Sequence, residues 1–561
     1  MPKLTIDGQE IEVLTGTRVI EAAKQLGIKI PHYCYHPALS IAGSCRMCLV
    51  EIEKFPKLQI ACHTIVAEGM VVHTQTENAK HARTAMLEFL LANHPLDCPV
   101  CDQAGECKLQ EYYMTVGQHP SALLDNKLKK TKAKVIGPHV ILDSERCILC
   151  SRCVRFCSEI SKTDELGIFY RGDHSELLPY PERILDNPYS ANVVDICPVG
   201  ALTDRDFRFK VRVWYLDSGP SICHGCARGC NIRVDYLTRR FHHNDGKRIA
   251  RFKPRVNPEV NGHWICDAGR YSYKALESED RLLYPHAKGA LKNRLGQPQG
   301  AAPTDQEQRP LTYGDNGQAT WDDAVAEITG AFSRHVSEYG VGSVAAILSA
   351  SLSNEELFAA RRVFCDGLKI EKLAYRIPPG PNDTDDDLLI RADKNANTFG
   401  AEAIVGPRTR TPEVESILQL TAEGKTKAWI VLDRDLALAF GEDRITGLSS
   451  SLKFSLYLGS HSNATSHGCH VVLPAAVFTE REGTITNFQG RIQYFPMVVP
   501  PLGDSQPMLE ILSRLAAAFG LPPIPADPAT VYDQLRVEVG HFSPKTFAEL
   551  IEQSAPMKKA K

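Results

Sequence analysis

A chain of 561 residues with a net charge of −3 has length for about three or four domains. Its near balance of charge excludes nucleic-acid or acidic-membrane binding driven by bulk charge, and no apolar run approaches the roughly 20 residues that span a bilayer. Of 18 cysteines, 16 precede residue 267, and they come largely in Cys-x-x-Cys groups. With no charged-then-apolar leader at MPKLTIDGQE, a disulfide framework is not expected and a reducing compartment is.

Residues 1–14 predict a hairpin, with Leu4, Ile6, Ile11 and Val13 alternating about an Asp7-Gly8 turn. A helix capped by Thr17 should bury Val19, Ile20, Ala23 and Leu26 and stop at Gly27. Cys34, Cys45, Cys48 and Cys62 follow, and Gly43 and Ser44 let the backbone approach a buried anionic group. Four thiolates suit one 2Fe-2S centre. The match is in arrangement, since ten residues separate the first two cysteines where the plant-type template has four. Zinc is the competing reading.

Ala82, Ala85, Met86, Phe89 and Leu90 predict a helix over 78–93 that runs into NHPLDCPVCDQAGEC. There His94, Cys98, Cys101 and Cys107 offer one imidazole and three thiolates. Alone, that set favours zinc; among its neighbours it reads as a cluster site, with His94 a ligand. Gln118 to His139 turns basic, through Lys127, Lys129, Lys130, Lys132 and Lys134, and reads as a solvated linker or, more sharply, as a surface for an acidic partner.

In CILCSRCVRFC, Cys147, Cys150 and Cys153 can wrap thiolates around one corner of a four-iron cluster. The fourth ligand is remote: Cys197 in ICPVGAL, held by Pro198. Cys157 is followed by serine where the two-cluster ferredoxin run has proline, and no second triplet follows, so it is expected buried and unligated. Residues 158–196 should form loops and short strands against the cluster. SICHGCARGCNI supplies Cys223, Cys226 and Cys230, with Cys266 in HWICDAGR; zinc and four-iron readings stand level there.

Residues 285–319 read as a linker. TWDDAVAEITGAFSRHVSEYG shows helical spacing through Trp321, Ala324, Val325, Ile328, Phe332 and Val336, followed by the strand SVAAILSAS; FAARRVFCDGL reads as helix and KAWIVLDRD as a buried strand. That alternation predicts an α/β domain with a mostly parallel sheet. Gly340 and Gly342 follow a helix and precede a strand, the wrong order for a dinucleotide fingerprint. Cys365 should be a small buried helix residue, and Cys469 has no cysteine neighbour.

GSCRMCLVEIE, NHPLDCPVCDQAGECKLQ, CILCSRCVRFC with DICPVGAL, and WICDAGR resemble, in this order, the large iron-sulfur subunit of respiratory complex I, NADH:quinone oxidoreductase. SNEELFAARR, LLIRADKNANTFGAE and LPAAVFTEREGTITNFQGRIQ extend the resemblance to that family's molybdopterin-oxidoreductase-like domain. It implies α+β front modules: a 2Fe-2S ferredoxin-like β-grasp (1–77), a helical module with one histidine and three cysteine ligands (78–125), a bacterial-ferredoxin-like module (126–214) and a four-iron subdomain (215–275). A shortened α/β molybdopterin-oxidoreductase-like domain (276–561) follows.

The resemblance also implies one 2Fe-2S cluster on Cys34, Cys45, Cys48 and Cys62. Three 4Fe-4S clusters would sit on His94, Cys98, Cys101 and Cys107, on Cys147, Cys150, Cys153 and Cys197, and on Cys223, Cys226, Cys230 and Cys266, the last off the main path. No molybdenum cofactor is expected, since no convincing cysteine ligand remains, and no side chain is a catalytic acid or base. Electrons would enter from an FMN- and NADH-binding partner, leave by the Cys147 group, and pass through other peripheral-arm subunits towards quinone. Expected neighbours include membrane subunits but no nucleic acid, with the chain peripheral on the cytoplasmic side of the inner membrane. The alternative is the electron-entry subunit of an NAD-linked hydrogenase or formate dehydrogenase.

Overall fold

The structure is a computed structural model that describes residues 1–117, 123–287 and 318–554. Most of the expected 285–319 linker and residues 118–122 of the basic stretch lie outside the described residues.

The chain opens with β1 (Lys3–Ile6), β2 (Gln9–Glu12), α1 (Val19–Gln25), β3 (Leu49–Ile52), β4 (Gln59–Ile60) and β5 (Met70–His73). The strands form one sheet in the order β2-β1-β5-β3-β4, with β1 and β5 parallel. Leu4, Ile6, Val19, Ile20, Ala23, Val50, Ile52 and Val72 fill its core, so α1 packs its apolar face on the sheet. The helix begins one residue later than a Thr17 cap would place it: Arg18 is the cap, and its amide donates to Glu21.

α2 (Glu77–Ala92), capped by Thr76, meets α3 (Lys108–Val116). Its buried face differs from the expected one, being Ala79, Arg83 and Leu87, while Phe89 is 75% exposed. The reason lies outside the helix: Arg83 turns inward because its guanidinium donates to the Leu49 carbonyl at 3.0 Å.

The third module holds β6 (Lys134–Val135), β7 (Val140–Leu142), α4 (Arg152–Glu159), the hairpin β8 (Leu166–Phe169) and β9 (Glu176–Pro179), α5 (Asn192–Ile196) and β10 (Leu202–Asp204). The lysines before it are not free. Lys127 Nζ caps α2 through the carbonyls of Leu91 and Ala92, at 2.7 and 2.9 Å, Lys130 donates to the Ser175 carbonyl, and Lys132 pairs with Asp97 and Glu145. Next comes an antiparallel sheet of β11 (Asp217–Ile222), β12 (Asn231–Tyr236) and β13 (Ile249–Pro254), trailed by α6 (Asp267–Tyr271) and α7 (Tyr273–Leu276).

The C-terminal sheet contains β14 (His286–Ala287), β15 (Val344–Leu348), β16 (Lys372–Ala374), β17 (Ala428–Leu432), β18 (Phe454–Gly459) and β19 (Val471–Pro474) in the order β14-β19-β18-β17-β15-β16. All pairings are parallel except that of β14. Val344, Ala346 and Leu348 enter one core and Ala345 and Ile347 another. Both faces are therefore covered, as parallel sheets require. On one lies α8 (Trp321–Tyr339), which buries Ala324, Val325, Ile328 and Phe332 as the spacing predicts. α9 (Asn354–Ala360) is buried throughout and continues into a π-helical turn, Arg361–Gly367. Cys365 on that turn is only half-buried: it packs at the margin of the core, and its thiol reaches the Arg408 carbonyl.

Candidate metal centres

In the first module Cys34, Cys48 and Cys62 are buried and Cys45 is half-buried. The amides of Tyr33 and Cys34 each reach Cys45 Sγ at 3.4 Å. Gly43 and Arg46 take left-handed backbone, at φ 60° and 53°, which curls the loop around its thiols. The thiols meet in two pairs, Cys34 with Cys45 and Cys48 with Cys62. A hydrogen bond within each pair pushes one member's pKa down and the other's up, Cys34 falling to about 5.

Cys147, Cys150, Cys153 and Cys197 line one small pocket, together with Ile168, Leu177, Val199 and Leu202. Left-handed Leu149 and Ser151 turn the backbone between successive cysteines so that all three thiols face inward. Burial pushes the Cys147 thiol up to about 12 and the Cys150 thiol up to about 11. Thiolates there need a cation such as iron to offset the cost of burial.

At the His94 site, Cys107 caps α3, Cys101 is buried and Cys98 is exposed. His94 follows the end of α2, and burial lowers its imidazole to about 4. The ring is thus neutral, the form a ligand needs, and its buried Nδ1 has no hydrogen-bond partner among the described residues.

In the fourth group the β11–β12 hairpin places Cys223 and Cys230 together, the amide of Cys223 donating to the Cys230 carbonyl at 2.8 Å. Cys266 caps α6 and accepts from the Gly269 amide. A Cβ on Gly269 would lie 3.0 Å from Cys223 Sγ and 3.3 Å from Cys266 Sγ, so glycine keeps that wall open. Among the described residues, no three His, Cys, Asp or Glu side chains close on a point as a single metal ion needs. Cys157 is fully buried on α4 and lies outside the wall of the Cys147 pocket.

Three sites share walls. Arg155 donates to the carbonyls of Cys34, at 2.6 Å, and Cys150, at 3.3 Å. Arg152 donates to the carbonyls of Tyr35 and Ile196, joining the Cys34 loop to the segment that carries Cys197. On the other side the Lys108 amide, next to Cys107, donates to the Pro198 carbonyl, next to Cys197, at 2.9 Å. The Cys147 group therefore touches both other sites. Spacing singles out neither arginine, although both alternate with the cysteines of CSRCVRFC.

Family models match consecutive parts of the chain. They are a 2Fe-2S iron-sulfur cluster binding domain at 2–77, the NADH-ubiquinone oxidoreductase-G iron-sulfur binding region at 83–121, the ferredoxin-like domain of NADH-quinone oxidoreductase subunit 3 at 137–203, and molybdopterin oxidoreductase at 391–518. Fold and sites together define an iron-sulfur protein with 2Fe-2S and 4Fe-4S binding domains ahead of a molybdopterin-oxidoreductase domain.

The G subunit of NADH-quinone oxidoreductase from Rickettsia conorii is 33% identical over 603 aligned residues, covering 92% of this chain and 87% of that protein. The chain belongs to this family, the G subunits of NADH-quinone oxidoreductase. The 75 kDa subunit of NADH-ubiquinone oxidoreductase from Reclinomonas americana is 43% identical over 288 residues, 51% of this chain and 40% of that one. A solved NAD+-reducing [NiFe]-hydrogenase chain is 33% identical over 38% of this chain and 91% of its own, with a TM-score of 0.35.

Proposed function

We propose that the chain relays electrons from an FMN-bearing, NADH-oxidising subunit towards quinone within complex I. The ligands are Cys34, Cys45, Cys48 and Cys62 for one 2Fe-2S cluster, and three sets for 4Fe-4S clusters: His94 with Cys98, Cys101 and Cys107; Cys147, Cys150 and Cys153 with Cys197; and Cys223, Cys226 and Cys230 with Cys266. When bound, the clusters supply one-electron chemistry. The protein fixes their spacing, excludes water and donates amides to the sulfurs. Cys34 with Cys45 and Cys48 with Cys62, whose thiols pair in the structure, would hold the 2Fe-2S cluster between them.

The observation that carries this reading is the shared walls. Arg155 spans the first site and the Cys147 group, and the Lys108–Pro198 bond spans the Cys147 and His94 groups. The order they support is 2Fe-2S, Cys147 group, His94 group. It revises the expectation that the Cys147 group is the exit, because chain order is not spatial order. Cys223 and Cys230 share a core with Cys153 and not with Cys34; the side position of their cluster is assigned from the family resemblance.

The modules run 1–77, 78–125, 126–214, 215–275 and 276–561. In the last, SNEELFAARR and EREGTITN satisfy one another: Glu355 accepts from Thr484, and Arg481 pairs with Glu356 at 2.8 Å. With Cys365 bonded to the Arg408 carbonyl and Cys469 to that of Thr465, we assign this domain a structural role without molybdenum. No helix among the described residues is long and apolar enough to cross a membrane, which suits a peripheral subunit on the cytoplasmic side of the inner membrane.

Anaerobic isolation with iron, sulfide and zinc assays tests the assignment, with about 14 irons expected at full occupancy. Zinc without visible absorbance would overturn it. Isolation of the native complex with membrane subunits supports complex I, and a nickel or molybdenum subunit in their place would favour the hydrogenase or formate dehydrogenase reading.

A further inference from the structure

β13 turns two cations inward. Arg251 grips Glu106 through two bonds of 3.0 Å. Lys253 Nζ lies 3.3 Å from the same carboxylate and 3.6 Å from that of Asp195. Arg270 of α6 holds Asp195 from the other side. Glu106 immediately precedes Cys107, and Asp195 stands two residues before Cys197. Lys253 is thus the cation common to a carboxylate beside each of two sites. Its side chain is 18% exposed and that of Arg251 is 11% exposed, so little water screens them.

We propose that Lys253 raises the reduction potentials of the His94-group and Cys147-group clusters together, and that the fourth module thereby serves the main path electrostatically. An added electron is favoured by a nearby cation, and charge around a cluster is one determinant of its potential. A cation shared between two clusters moves both in the same direction. The difference between them, which governs transfer from one to the other, changes less than the larger of the two shifts. A module whose own cluster lies to one side then still acts on the path.

This inference rests on the ligand assignment above. Its test is an EPR-monitored redox titration of the isolated complex carrying Lys253→Met or Lys253→Arg. Lys253→Met should move both four-iron midpoints to more negative potential and leave the 2Fe-2S midpoint in place; Lys253→Arg should restore both. Glu106→Gln removes a negative charge beside Cys107 and should move the His94-group midpoint upward, and it carries the sign test if Lys253→Met fails to assemble. Unmoved four-iron midpoints in an assembled Lys253→Met complex, or a downward shift in Glu106→Gln, would overturn the proposal. Wild-type complex lacking the four-iron signals would instead sink the ligand assignment.

Discussion

A Cβ built on Gly200 would overlap the Sγ of Cys101, so the loop that carries Cys197 presses bare backbone against a thiol of the neighbouring site. Any side chain there forces one loop to move, and Gln103 Cβ, at 3.1 Å, narrows the escape. Overpacking of this kind costs about 1–3 kcal/mol. Gly200→Ala should keep the 2Fe-2S EPR signal, lose or broaden that of the His94-group cluster, and lower NADH-to-quinone electron transfer. An unchanged spectrum would show that the wall yields freely.

His94 should set its cluster's potential through charge. A neutral imidazole leaves the cluster one unit less negative than a fourth thiolate would, the logic by which histidine ligands raise Rieske potentials. The unpartnered, buried Nδ1 of His94 suits that role. His94→Cys should therefore lower the midpoint by roughly 100 mV or more, on the scale of the Rieske-to-ferredoxin difference. A redox titration showing the same midpoint would mean that ligand charge is not the control.

Glu355 predicts a pH dependence of stability. Burial raises its pKa to about 7, against the opposing bonds from Thr484. An acid whose folded pKa is raised contributes stability that is complete below the unfolded value near 4.5 and is lost as pH rises through about 7. The full chain should lose on the order of 3 kcal/mol between pH 4.5 and 8 from this group. Glu355→Gln should flatten that dependence, read as the urea midpoint by tryptophan fluorescence. A variant with the wild-type slope would assign the dependence elsewhere.

The convergence of Cys147, Cys150 and Cys153 is legible in the sequence because that triplet is local, inside one turn and its approach. The parallel sheet is legible because VAAIL and AWIVL are apolar on both faces. What joins the sites is not. Arg155 reaches Cys34 across 121 residues and Arg251 reaches Glu106 across 145, and no periodicity reports such contacts. The buried face of α2 escapes the helical pattern for the same reason, since a single distant carbonyl, that of Leu49, draws Arg83 inward.

Cys157 offers the last check on the ligand count. It sits on α4 four residues after Cys153, which puts both on one side of the helix, yet Cys153 lines the Cys147 pocket and Cys157 does not. Cys157 is fully buried, and burial pushes its thiol up to about 12, with Glu165 and Asp164 adding to the rise. Both acidic neighbours oppose its thiolate, and an unligated thiol in that setting behaves as a small apolar side chain. Cys157→Ser should leave iron content and the Cys147-group EPR signal unchanged. Its cost should be stability alone, about 1–2 kcal/mol for placing a hydroxyl in apolar surroundings. Loss of that signal in a variant that still assembles would make Cys157 a ligand and displace Cys197 from the set.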